Sequence, residues 1–490
     1  MRAIVAVLDR RGMEAVSKTA EMLKILRHKG ADAFYIATPK HFEMKVSPNE
    51  LNSNIKSSTA LGHIFLKILP EDKPKVAQRN GVAIAFDGRT YPPEEILNLI
   101  LSTPDLHRSL ETIVSHFEGS FSFALAEDGW LVVARDSLGL YPVYYGENRD
   151  LFAVSSERKA LWKIGLEKTE QFPPGHIGVF NRDGFNFTPI HSLRFQEFSQ
   201  EKIKLETAIE QLTTLLEHSI NNTLLGVSEV SVAFSGGLDS SLTALLAHKA
   251  GAKVHLIHVS LKGKAETVKA EMAAEALGMP LHTYIYEMED VESAIPKVLW
   301  AVEDPDPLKT CIGIPVFWSA ERSRELGFNV MLMGMGADEL FGGYKRYFEA
   351  YIQHGEEKAQ NMLYRDVLEM YQTNFERDVK ICNFQNVELR LPFASRQLVE
   401  FSLNLPLSYK IASPENHLRK IILRKAAEKM GLSRHIALSS KRAIQYSTGV
   451  SLALKKLAEK KGMRVKDYLR LVFNEVFENV CERMPETIKE

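Results

Sequence analysis

The stretch Val230-Ser-Val-Ala-Phe234-Ser235-Gly236-Gly237-Leu238-Asp239-Ser240-Ser241 decides the fold. A short β-branched apolar run ends in two glycines, and a helical pattern over 240–249 begins at once, which predicts a strand–turn–helix unit. Glycines let the backbone amides turn toward one point, and the helix start adds the positive end of its dipole. With the hydroxyls of Ser235, Ser240 and Ser241, these features predict an anion cradle. No GK[ST] follows, so this is not the Walker loop. An acidic residue inside a phosphate cradle calls for a cation, which makes Asp239 a candidate magnesium ligand.

Working toward the carboxyl terminus, apolar runs at 254–260, 282–286 and 330–333 alternate with helical patterns at 265–277, 291–300 and 316–326. That rhythm predicts a parallel doubly wound sheet with ligands beyond the carboxyl ends of its strands. Directly after the run 330–333 comes Gly334-Met335-Gly336-Ala337-Asp338-Glu339-Leu340-Phe341-Gly342-Gly343-Tyr344. In a parallel sheet both glycine loops lie on one edge, so Asp239 and Asp338 can share a magnesium–pyrophosphate unit. From Tyr344 onward the chain reads as largely helical.

Working toward the amino terminus, a helical pattern at 206–222 and a polar stretch at 194–204 precede this region. The first 195 residues read as mostly strand, with apolar runs at 3–8, 33–37, 82–86, 121–125, 130–134, 143–145, 151–154 and 177–180. Helices are predicted at 14–28, 93–102 and 106–117, the second opened by Pro92-Pro93-Glu94-Glu95, which suits a first turn. The expectation is a layered α+β domain over 1–195 followed by an α/β domain over 206–490. Composition excludes several classes. Across 490 residues, 61 Lys+Arg face 62 Asp+Glu, for a net charge of −1, far from the basic excess of a nucleic-acid or anionic-membrane binder. At 45% hydrophobic and 25% charged residues, the chain is an ordinary globular one. Its three cysteines form no CxxC pair, which argues against a disulfide framework and for a reducing compartment. No apolar run approaches the ~18–20 residues of a membrane span, and the stretch after Met1 is too short for a signal peptide. A soluble cytoplasmic protein is expected.

The two loops, Ser235–Ser241 and Gly334–Tyr344, resemble motifs of the asparagine synthetase family of glutamine-dependent amidotransferases, including its β-lactam synthetase relatives. So do Glu388-Leu-Arg390-Leu-Pro392-Phe393 and Lys441-Arg-Ala-Ile-Gln445-Tyr446-Ser-Thr-Gly449. In the first half, Arg135-Asp136-Ser-Leu-Gly139-Leu-Tyr141-Pro142-Val-Tyr144-Tyr145 and Ser156-Glu157-Arg158-Lys159-Ala160-Leu161 are similar to family motifs in the same order. The resemblance implies a class II glutaminase fold of the Ntn type in the first half and an ATP pyrophosphatase domain in the second. It implies ATP and Mg2+ as cofactors, adenylation of a carboxylate with loss of pyrophosphate, and displacement of AMP by ammonia or an amine. By resemblance, Lys441 is the catalytic lysine. Phe234, Val259, Met333 and Gly334 would contact adenosine, Ser235, Gly236, Gly237 and Ser240 the phosphates, and Asp239 and Asp338 the metal.

Against that pattern, three changes converge on the glutamine site. The family's nucleophilic cysteine after the initiator methionine is Arg2 here, which cannot attack a carboxamide. Its carboxylate-clamping arginine is Phe65, a ring in place of a charge-assisted clamp. Its oxyanion NGE is Asp87-Gly88-Arg89, where a carboxylate would repel the developing charge. Asp105 is the remnant of an amino-group ligand or a turn residue after Pro104. A fourth change lies in the synthetase half, where Met335 replaces a side chain able to carry protons. Either another group takes over that role, with Glu388, Glu376 or Asp304 as candidates, or the substrate differs. The acidic run Glu303-Asp304-Pro305-Asp306-Pro307 reads as a structural turn or an amine-orienting loop. The expected activity is glutamine-independent amidation of a carboxylate, aspartate first, by ammonia. A β-lactam synthetase-like ligase of another carboxylate, and an ATP-binding pseudoenzyme, are the alternatives. No nucleic-acid or membrane partner is expected, and a homodimer is compatible.

Overall fold

The computed structural model describes residues 3–91, 96–102, 106–190, 193, 203–412, 418–439, 444–478 and 480. Arg2, Asp105 and Lys441 lie outside the described residues, as do 92–95 at the start of the second predicted helix.

The first half contains β1 (Ala3–Asp9), β2 (Ala33–Ala37), β3 (Phe42–Lys45), β4 (Thr59–Phe65), β5 (Val76–Arg79), β6 (Val82–Tyr91), β7 (Glu118–Glu127), β8 (Trp130–Arg135), β9 (Tyr144–Glu147), β10 (Leu151–Ser155), β11 (Glu170–Gln171), β12 (His176–Asn181) and β13 (Gly184–Pro189). They form a seven-stranded sheet in the order β11-β9-β10-β1-β4-β2-β3 and a six-stranded sheet β13-β12-β8-β7-β6-β5, with every described pairing antiparallel. Strand alternation explains the layers. Ile4, Ala6 and Leu8 face Ala83, Ala85, Ala124 and Ala126 in the core between the sheets. Ala3, Val5 and Val7 face the helix Ala15–Ile25 on the other side. Phe86, Phe121 and Phe123 stack on the outer face of the second sheet, where Ile113 of the helix Leu106–His116 covers them. The result is helix, sheet, sheet, helix, the expected α+β domain.

In the second half β14 (Glu229–Ala233), β15 (Lys253–Leu261), β16 (Leu281–Tyr286), β17 (Val330–Leu332) and β18 (Glu388–Arg390) make a parallel sheet ordered β16-β15-β14-β17-β18. The order reverses between β14 and β17, so the loops leaving these two strands flank the topological switch point where ligands enter such sheets. β18 is an addition to the expected strands. A helix spans Pro307–Glu325 where only 316–326 was predicted, because Asp306 accepts the Lys309 amide (2.7 Å) and Pro307 fits the first turn. The largest core runs without a break from Ile68, Leu69, Leu138, Leu140 and Trp162 of the first half into the second. Among the described residues no helix is long and apolar enough to cross a membrane.

Candidate active site

β14 delivers Phe234, Ser235, Gly236 and Gly237 to the switch point, and the helix Leu238–Lys249 starts immediately behind them. Gly236 has φ 68°, and a Cβ there would stand 2.8 Å from the Ala270 backbone, so only glycine serves. The turn is tied by hydroxyls. Ser235 Oγ lies 3.2 Å from Ser240 Oγ, Ser235 donates its amide to Ser240 Oγ (3.3 Å), and Gly237 donates its amide to Ser235 Oγ (3.3 Å). The second loop packs onto the first: a Cβ on Gly334 would come within 2.9 Å of Asp239. The two glycine loops therefore close on one another, as the sheet order requires.

Between them stands a residue that no motif announced. The Lys420 ammonium lies 2.7 Å from both carboxylate oxygens of Asp239 and 2.7 Å from Oδ1 of Asp338. Lys420 is 2% exposed and holds a left-handed backbone, φ 59°, at the start of the helix Ile421–Lys429. A non-glycine residue kept there costs on the order of 1 kcal/mol or more, which the ion pairs to two loops offset. A side chain on Gly343 would strike both Asp338 and Lys420. Beside this knot opens a cavity of about 290 Å³ lined by Ser235, Gly237, Asp239, Lys269, Lys420 and Arg424 among others. Its lining sets Lys269, Lys420 and Arg424 beside the carboxylates of Asp239 and Glu266.

Two hard carboxylates touching one cationic atom fit a magnesium ion. Among the described residues no group of three or more His, Cys, Asp or Glu could hold a metal. Such an ion would thus complete its shell with phosphate and water oxygens, which is the usual magnesium arrangement. Phe234, Val259 and Met333 are buried near the carboxyl ends of β14, β15 and β17. They pack in the core beside the cradle, and the cavity lining does not include them. Met335 is half-buried against the same core.

Glu388 requires a correction. It opens β18 in register with Val330, the first residue of β17, so it sits at the amino end of the parallel sheet, opposite the glycine loops. Its carboxylate accepts Arg390 Nε (2.6 Å) and, across the domain boundary, Arg89 Nε and Nη2 (2.6 and 2.7 Å). Burial pushes its carboxyl up, but the adjacent Arg390 and Arg89 charges prevail and hold it well below the usual range. It cannot carry protons for a reaction at the other end of the sheet. Glu376 is no better placed. It pairs with Arg158 (2.7 Å), and the charges of Arg158 and Lys380 overcome its burial to bring it to about 2. Asp304 pairs with Lys309 (2.8 Å) and accepts the Asp306 amide (3.1 Å), so the acidic run builds a helix start.

Phe65, Asp87 and Arg89, where the sequence led to the expectation of a lost glutamine site, are built into the two sheets of the first half. Phe65 ends β4 and lies in the core between the sheets. Asp87, Gly88 and Arg89 run along β6 in register with Ser122, Phe121 and Ser120 of β7. Lys75 lies over the Phe86 ring and donates to the Gly88 carbonyl (3.2 Å). Burial and the nearby Arg89 charge lower Lys75 to about 8. Arg89 turns away into the second domain, forking Asp72 (2.8 and 2.9 Å) as well as Glu388. A second bridge between the halves is centred on Glu303, at φ 61° and 2% exposed. Its carboxylate accepts the amides of Arg158 (2.9 Å) and Lys159 (2.8 Å) and pairs with the ammonium groups of Lys159 and Lys380. The helix Arg158–Lys163 has no side-chain cap from its own Glu157, so Glu303 caps it from the other domain.

Comparison with known proteins gives the following. Residues 211–357 and 351–476 match the family model described as asparagine synthase, and 71–163 match that of a glutamine amidotransferase domain. The chain is 28% identical over 535 residues to a Methanocaldococcus jannaschii protein named "Putative asparagine synthetase (glutamine-hydrolyzing) 1", covering 96% of this chain and 98% of that one. It is also 28% identical over 411 residues to the asparagine synthetase (glutamine-hydrolyzing) of Triphysaria versicolor, covering 77% of this chain and 68% of that one. Among solved structures, the glutamine phosphoribosylpyrophosphate amidotransferase of B. subtilis is similar at 17% identity and TM-score 0.33, over 57% of this chain and 65% of that chain.

Proposed function

The chain belongs to the asparagine synthase family, and we propose that within it this protein adenylates a carboxylate, aspartate in the first instance, and amidates it with free ammonia rather than glutamine. As a member it is an ATP-dependent carbon–nitrogen ligase. A carboxylate cannot expel oxide, so its oxygen attacks the α-phosphorus of ATP. That O–P bond forms as the bond to the β-phosphate oxygen breaks and pyrophosphate leaves. Ammonia then attacks the acyl carbon, the bond to AMP breaks, and the displaced proton goes to solvent. Ser235, Gly237 and Ser240 cradle the phosphate oxygens through hydroxyls and amides, while Lys420 and Lys441 neutralise charge developing on pyrophosphate and at phosphorus. Asp239 and Asp338 would hold magnesium, which when bound would supply positive charge to neutralise the phosphates.

The observation that carries this reading is the meeting of Asp239, Asp338 and Lys420 at the switch point. It also speaks against an ATP-binding remnant with no chemistry, because a buried lysine ion-paired to an aspartate of each glycine loop would supply the charge that pyrophosphate requires. The glutamine-independent part rests on Arg2, on Phe65 in the inter-sheet core, and on Lys75 and Arg89 in the remnant site. The test is pyrophosphate release with aspartate and a panel of other carboxylates, supplying ammonia, simple amines and glutamine separately. Ammonia should support release and product, and glutamine should neither replace it nor yield glutamate. Glutamine turnover comparable to the ammonia rate would overturn the reading of the first domain. Release with another carboxylate but not aspartate would move the substrate assignment to the β-lactam synthetase-like alternative.

A further inference from the structure

A second cavity, of about 50 Å³, lies where the two halves meet and shares no lining residue with the cavity at the glycine loops. Arg89, Glu118, Tyr141, Glu388, Arg390 and Arg396 are among its walls. Among the described residues, three buried polar atoms on these walls have no hydrogen-bond partner: Arg390 Nη2, Arg396 Nε and Glu118 Oε1. Arg390 is 4% exposed and donates Nε to Glu388 (2.6 Å) and Nη1 to the carbonyls of Thr223 (2.6 Å) and Leu225 (3.1 Å). Arg396 opens the helix Arg396–Leu403 and donates Nη1 to the Ser115 carbonyl (2.6 Å). Glu118 opens β7, and its other oxygen, Oε2, lies 3.5 Å from Asn222 Nδ2. Each side chain is thus fixed by one end while the other carries the full cost of lost hydration.

The chemistry of these three atoms selects a ligand. Two guanidinium N–H groups call for an acceptor, a carboxylate above all, and the Glu118 carboxylate calls for a donor. Charge narrows the choice. Arg89, Arg390 and Arg396 stand against Glu118 and Glu388 on the walls, and Asp72 pairs with Arg89 (2.8 Å). Three positive groups meet three negative ones, so a ligand of zero net charge fits better than an anion or a cation. An α-amino acid in its zwitterionic form supplies both ends with no net charge. Size narrows it again. One water takes roughly 10–15 Å³ of such space, so about 50 Å³ admits some three to five heavy atoms. Glycine, with no side chain, is the amino acid of that size. Glu118 comes from the first half and both arginines from the second, so a bound zwitterion would span the boundary.

We propose that this cavity binds a glycine-sized zwitterionic amino acid, its carboxylate held by Arg390 Nη2 and Arg396 Nε and its ammonium by Glu118 Oε1. The test is isothermal titration of the full chain with glycine, without ATP or magnesium. A ligand of five heavy atoms reaches about micromolar affinity at best, so the titration runs to about 10 mM. Acetate offers the carboxylate alone, methylamine the ammonium alone, and bicarbonate an oxyanion with its own O–H. L-leucine offers both charges on a body too large for the cavity. Glycine should bind once per chain and raise the melting temperature saturably, and the other four should bind at least about tenfold more weakly. Glu118→Gln keeps the shape and removes the charge, and it should weaken glycine about tenfold or more, as should Arg396→Gln. Melts of the ligand-free variants check folding, and Glu118→Gln decides alone if Arg396→Gln melts early. No saturable glycine binding, equal binding of any of the other four, or an unchanged affinity in Glu118→Gln would each overturn the proposal. With ATP, aspartate and ammonia absent from the titration, its outcome is independent of the activity proposed above.

Discussion

Replacing Arg89 tests how the two halves are joined, and the site dictates the size of the effect. The guanidinium is 15% exposed and donates to Asp72 at 2.8 and 2.9 Å and to Glu388 at 2.6 and 2.7 Å. Removing one partner of a buried pair costs about 3–5 kcal/mol, because the other is left uncompensated. The lower end applies to Arg89→Met. Glu388 keeps Arg390 at 2.6 Å, and Asp72 keeps the amides of Ile68 (3.1 Å) and Leu69 (2.9 Å). A loss of ~3 kcal/mol corresponds to about 6–12 °C in the melting of a unit the size of the first domain. Arg89→Glu, which restores the acidic residue typical of the family motif, should be worse still, since it sets a third carboxylate beside Asp72 and Glu388. The effect has a pH signature. Glu388 is depressed in the folded protein, so its stabilisation is fully present above the unfolded carboxyl value of ~4.3 and is lost as pH falls further. The gap between wild type and Arg89→Met should narrow between about pH 5 and pH 3. Calorimetry of the three proteins across that range is the assay. A variant Arg89→Met melting within about 2 °C of wild type at pH 7, or Arg89→Glu no less stable than Arg89→Met, would refute the reasoning.

The metal-site prediction is that Asp239→Asn and Asp338→Asn each lower pyrophosphate release by about 10²-fold or more, measured by a coupled pyrophosphate assay; activity within a few-fold in both would count against a shared cation. Lys420→Met leaves Asp239 and Asp338 facing one another without their counter-charge, so the ligand-free protein should melt several degrees lower, and added magnesium should raise its melting temperature more than that of wild type. An unchanged melting temperature would show that the ion pairs hold no weight. Met335→Glu should preserve or raise ammonia-dependent asparagine formation if aspartate is the substrate, and product analysis showing a fall in the native activity would point to a different acid.

The parallel sheet and both glycine loops were legible because their signals are local: a β-branched run, glycines where φ must be positive, and a helix at once behind. The four-layer first half was legible as strands and helices, but the edge or short strands β3, β5, β11 and β13 escaped, and so did the central β4. Thr59–Phe65 carries Gly62 and His63 in its middle, and Gly62 is there because Val5 and Thr19 pack where a Cβ would stand. That reason lies in tertiary contact and leaves no periodic trace. Glu388 was misread for a related cause. Its motif was visible, but which end of the sheet it occupies depends on how β18 pairs with β17. Lys420 sits in the plain run Leu418-Arg419-Lys420-Ile421, and its role comes from a backbone conformation and two partners far along the chain. No spacing rule reaches it.

The cap that Glu303 places on the helix Arg158–Lys163 bears on how the polypeptide matures. During synthesis the amino-terminal half leaves the ribosome first, and the carboxylate that receives the Lys159 amide is still 144 positions away. Until it arrives, the helix start holds unanswered amides, and Lys159, fully buried in the finished protein, lacks one of its two acidic partners. The early half is thus a nascent chain waiting for its late half. A truncated product would be left with a charged, incompletely closed surface for chaperones and proteases to find. The dependence runs both ways: without the first half, the second would expose Glu303 and Lys380, both buried in the finished protein.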